Sequence, residues 1–87
     1  MDSEARLAVY EAAEQIQRLK YDYGAACDDN YNPSAVGRLF TEDAVGDWRP
    51  RGALCEGRES IEAMFEEIGK SISWATHVLT NPRIEVA

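Results

Sequence analysis

Residues 16–33, IQRLKYDYGAACDDNYNP, decide how this chain is built. Leu7, Tyr10, Ala13, Ile16, Leu19, Tyr23 and Ala26 recur every three or four residues, which lays one apolar stripe along a helix. Asp2 and Ser3 are N-cap residue types at its start. From Asp28 to Pro33 the periodicity gives way to residues that hydrogen-bond locally and favour turns, so a long amphipathic helix is predicted to end near Asp28. Asn32 before Pro33 then predicts a second, short helix with Asn at the N-cap and Pro at the first helical position, burying Val36, Leu39 and Phe40.

Beyond these helices the period changes. TEDAVGDW (41–48) alternates, with Ala44, Gly46 and Trp48 on one side and Val45 and Asp47 on the other, as a strand would. RPRG (49–52) reads as a loop and ALCEG (53–57) as a short strand. RESIEAMFEEIGK (58–70) returns to helical spacing, with Ile61, Met64, Phe65 and Ile68 inward, Glu59, Glu62, Glu66 and Glu67 solvated, and Gly69 near the helix end. SWATHVLTNPRIEVA (73–87) is rich in β-branched and aromatic residues with alternation, and predicts a long strand in which Pro82 marks an edge or a bulge. The expected architecture is α+β, with segregated helices on a mostly antiparallel sheet in one domain over residues 1–87. Its last strand would leave a row of backbone groups to be paired or covered.

Composition narrows the function classes. Sixteen acidic against nine basic residues give a net charge of −7, which repels phosphate backbones and anionic membrane surfaces, so neither nucleic acid nor membrane is an expected partner. No run approaches a membrane span, and the acidic start MDSEARLAVYEAAEQ is unlike a signal peptide, so a cytoplasmic protein is expected. Cys27 and Cys55 stand far apart with no second Cys/His cluster, the pattern of buried free thiols and not of a metal site, with a single disulfide between them as the alternative that a cytoplasmic setting disfavours.

The runs IQRLKYDYGAACDD, LFTEDAVGDW, EGRESIEAMFEEI and THVLTNPRIEV, in this order and spacing, resemble the SnoaL-like branch of the NTF2-like superfamily. The resemblance implies a curved sheet curled into a cone against three N-terminal helices, enclosing a small, largely apolar ligand such as a polyketide, steroid or terpenoid, with no cofactor. It also implies about three further strands closing the cone beyond this chain's last one, so the chain reads as C-terminally short. A homo-oligomer, dimer or trimer, or a second chain would then complete the sheet.

The same resemblance points to an acid/base site. Tyr23, Asp28 and His77 stand where dehydratase-like members keep such groups, and a further one is implied on a strand past Val86. The chemistry is coherent: an imidazole moves a proton near neutral pH, a carboxylate fixes its tautomer, and a phenol donates to a developing oxyanion. Cyclase-like relatives use an aspartate as base, so His77 and Asp28 both stand as candidates for that role. Trp48, Phe65 and Asn81 are the expected ligand contacts; Trp48 would close a space left by Gly46, and alternation puts Asn81 on the face of His77 unless Pro82 introduces a bulge. Phe65 and Trp74 also carry the spacing of core residues, Tyr23 that of a core aromatic, and Asp28 that of a turn residue. Two functions follow: a dehydratase- or isomerase-like enzyme, or a non-catalytic ligand-binding or oligomerisation module or relic of such an enzyme.

Overall fold

The computed structural model describes residues 2–86. Five elements follow in order: helix α1 (Ser3–Asp28), helix α2 (Pro33–Gly37), strand β1 (Val45–Asp47), strand β2 (Leu54–Glu56) and helix α3 (Arg58–Ser71). The architecture is α+β, and β1 pairs antiparallel with β2 in the register Val45↔Glu56, Gly46↔Cys55, Asp47↔Leu54.

The caps are those the local chemistry demands. The Asp2 carboxylate accepts the Ala5 N–H at 2.7 Å, and Asn32 accepts that of Ala35 at 3.2 Å with Pro33 following it. α1 stops because Asn30 and Tyr31 adopt left-handed backbone, φ 54 and 53, and their neighbours' amides turn back onto the helix's last carbonyls. The Asn30 carboxamide, nitrogen toward α3, meets the carbonyls of Gly69 and Ile72 at 3.2 and 3.3 Å, tying this turn to the end of α3.

The core sits where α2, α3, the sheet and the last turn of α1 converge. Ala26, Cys27, Val36, Cys55, Ile61 and Phe65 are buried there, and both thiols are free. Leu39 and Phe40 pack less deeply than Val36. Arg58 holds the α2–β1 connection by donating from Nε and Nη2 to the Phe40 carbonyl, the former at 2.9 Å. The N-terminal part of the α1 stripe has nothing against it among the described residues: Leu7 is 58% and Tyr10 68% exposed.

One element differs from expectation. The long strand over 73–87 does not form among the described residues; 73–86 run without a partner strand, and Ala87 lies outside them. Alternation selects which side chains share a face, but a strand exists only through a neighbour's N–H and C=O groups, and β1 and β2 are three residues each and pair only with one another. The curved cone sheet is accordingly represented here by a two-stranded ribbon. Trp74, expected in the core, is 78% exposed. The segment instead runs beside α1, where Leu79, Thr80, Pro82 and Ile84 face Ile16, Gln17 and Tyr21 across a shallow groove. No helix among the described residues is long and apolar enough to cross a membrane.

Candidate functional site

Asp28 is the last residue of α1, so its side chain leaves the helix as the main chain turns away. Its neighbour Asp29 is occupied within the turn, accepting the Asn32 side-chain amide at 2.9 Å. Asp28 reaches across to the C-terminal segment: its Oδ1 lies 2.7 Å from the backbone nitrogen of His77 and 2.7 Å from His77 Nδ1. A carboxylate oxygen only accepts, so Nδ1 carries a proton in this contact, and in the neutral imidazole Nε2 is left with the free lone pair. Both side chains are 35% exposed, open enough for proton exchange with a ligand or water.

Gly24, one turn back on α1, lies directly under this approach. A Cβ there would stand 3.2 Å from Leu79 Cδ1 and 3.9 Å from His77 Cβ, so the bare glycine face is what the segment lies against.

Beside the pair is an aromatic cluster centred on Phe65. Tyr23 meets it edge-on with centroids 6.2 Å apart, Trp48 edge-on at 5.7 Å, and Tyr31 tilted at 6.2 Å. These four rings, with Met64, Ile68 and Ile72 from the α3 side and Arg51 at the 49–52 turn, line an open cavity of about 330 Å³. That is the low end of the range for small-molecule sites. The Trp48 ring occupies the space over Gly46, which a Cβ at that position would invade. Burial pushes the Tyr23 phenol up to about 12; the Cys27 thiol adds to the rise and the Trp48 side chain opposes it. Burial likewise raises the Cys27 thiol, against a hydrogen bond with Tyr23 and with Asp28 adding to the rise. Tyr23 therefore stays a proton donor through any ordinary working pH.

The structure thus brings Asp28 and His77 into contact and sets Tyr23, Trp48 and Phe65 on one wall. Tyr31 joins the two groups: its ring packs edge-on against His77 at 5.8 Å and tilted on Phe65 at 6.2 Å. Asn81 lies apart from the cavity, exposed and left-handed at φ 54, a bend that breaks its alternation with His77 just before Pro82. Sequence reasoning took Tyr31 only as part of a turn and Arg51 only as part of a loop. An aromatic held between two asparagines at a helix end was the available signal for Tyr31; Arg51 had none. Among the described residues no group of three or more His, Cys, Asp and Glu side chains is placed to hold a metal.

The chain is thus α+β, with a helix-borne carboxylate, a histidine brought to it from a distant segment and an adjoining aromatic cavity. The sequence model of the SnoaL-like domain matches residues 8–87, and the chain belongs to that family, within the NTF2-like superfamily. No curated protein and no solved structure matches the chain significantly.

Proposed function

We propose that the chain is a cofactor-independent acid/base protein of the dehydratase or isomerase type, acting on a small, largely apolar molecule such as a polyketide, steroid or terpenoid. The observation that carries this reading is the Asp28–His77 contact, a 2.7 Å hydrogen bond between residues 49 apart in sequence. In it the ligand's apolar body occupies the aromatic cavity, and its reacting carbon reaches past the Tyr31 ring to Nε2 of His77. Nε2 takes the proton beside a carbonyl, Asp28 stabilises the imidazolium that forms, and Tyr23 donates to the oxygen that gains charge. For a dehydration, the hydroxyl on the next carbon leaves with the proton held by the imidazolium, as water. For an isomerisation, that proton returns at another carbon.

The test is turnover of β-hydroxy ketones to enones, followed by absorbance. His77→Ala and Asp28→Asn are each expected to lower the rate by about 100-fold or more, the usual size of a general acid–base contribution. Unchanged turnover in both variants would remove this mechanism.

A second reading is favoured by a separate observation: Tyr10, Trp74 and Val78 are 68%, 78% and 79% exposed, and the extended 73–86 segment has unpaired edges among the described residues. In that reading the chain is an assembly module that forms a dimer or trimer, or recruits a second chain to its sheet. Light scattering separates the two. A monomer at micromolar concentration is inconsistent with self-assembly through these surfaces.

A further inference from the structure

Arg51 is the one charged residue on the wall of the aromatic cavity among the described residues. The neighbouring arginines are already committed. Arg49 grips the Asp47 carboxylate through Nε and Nη2, each at 2.9 Å, and Arg58 donates to the Phe40 carbonyl. Arg51 makes no ion pair and no side-chain hydrogen bond among the described residues, and stacks on none of the four rings, although the chain carries sixteen acidic side chains.

Its position is set by a tight turn. Gly52 N–H donates to the Trp48 carbonyl at 2.7 Å and Trp48 N–H to that of Ala53 at 3.0 Å, so the residue between is held next to the Trp48 side of the cavity. A guanidinium presents paired donors that match a carboxylate, and it remains charged at every working pH. The chain's net charge of −7 repels anions in general, and Arg51, an exposed cation, supplies an attractive charge at the point where the cavity's apolar walls meet solvent.

We propose that the cavity takes an apolar molecule bearing a carboxylate, with Arg51 as the group that binds that carboxylate. This rests on the reading of the aromatic cavity as the ligand site. Tyr23, Trp48 and Phe65 bury the apolar body, and Arg51 selects the charged end and fixes which way the ligand enters.

The test measures binding of 1-adamantanecarboxylate and the neutral 1-adamantanecarboxamide to the full chain carrying Trp74→Phe, so that Trp48 alone reports by fluorescence. The carboxylate is expected to bind about tenfold more tightly than the amide, the size of one charge-assisted hydrogen bond partly exposed to water. Arg51→Gln abolishes the preference while amide affinity stays unchanged; Arg51→Lys keeps part of it, and added salt reduces it. Equal affinity of the two probes for the parent chain, or a preference that survives Arg51→Gln, overturns the assignment and leaves the cavity reading standing. Failure of both probes to bind overturns the cavity reading and the assignment with it.

Discussion

Asp28 Oδ1 accepts from both the backbone N–H and the ring Nδ1–H of His77, each at 2.7 Å, so one oxygen fixes the position of the segment and the tautomer of its histidine together. Asp28→Ala removes both bonds. It is expected to shift the ring proton distribution between Nδ1 and Nε2, visible in the imidazole ¹⁵N resonances, and to speed exchange of the His77 amide. The stability lost is about 1 kcal/mol, because the pair is partly solvated. An unchanged ¹⁵N pattern would show that Asp28 does not set the tautomer.

Tyr23 supplies a pH dependence of known sign. Its phenol is raised from 10.0 to about 12 in the folded chain, so between these values the unfolded state has lost a proton that the folded state keeps. The stability this residue contributes is fully present below pH 10 and is lost as pH rises through about 12. Absorbance titration of tyrosinate should show one component displaced to high pH, and Tyr23→Phe should delete that component and flatten the fall in stability across the window. A titration in which Tyr23→Phe removes an ordinary component contradicts the desolvated, partly buried phenol.

Much of this architecture is legible in the sequence because short-range chemistry dictates it. The apolar stripe and its loss at Asp28 define α1, Asn32–Pro33 opens α2, and the Ile61, Met64, Phe65 and Ile68 spacing places α3. Asp28 and His77 could be named but not joined by sequence physics alone, since their contact depends on where 73–86 lies and alternation says nothing about the neighbour. For the same reason Trp74 was expected inside and stands outside: its burial needed a partner strand. The placement of Tyr31 against His77 and of Arg51 on the cavity wall comes from turns whose backbone angles carry no periodic signal.

Gly46 and Trp48 share one space, and only one of them can fill it. Gly46→Ala puts a methyl group where the Trp48 ring lies, so the ring must leave its edge-on position against Phe65. A cost of about 1–3 kcal/mol is expected, as for other overpacked sites, with a red-shifted Trp48 emission in a Trp74→Phe background. A stable variant with unaltered emission would mean that the ring is not packed over Gly46.

Gly24 tests whether the C-terminal segment docks independently of the core. Its Cβ position is 3.2 Å from Leu79 and 3.9 Å from His77, whereas the buried cluster of Val36, Ile61 and Phe65 lies elsewhere. The methyl group of Gly24→Ala would be absorbed by a small shift of the Leu79 side chain, but the branched side chain of Gly24→Val cannot be accommodated without lifting the segment. Glycine is also a poor helix residue, so either substitution gains helix propensity while losing the dock to a different degree. The expected result for Gly24→Val is faster proteolysis within 73–86 and loss of His77 amide protection, with the melting transition of the core nearly unchanged. Gly24→Ala should retain the protection. If Gly24→Val instead unfolds the whole chain, the segment is integral to the core, and the Asp28–His77 contact is a consequence of global folding and not of a local dock.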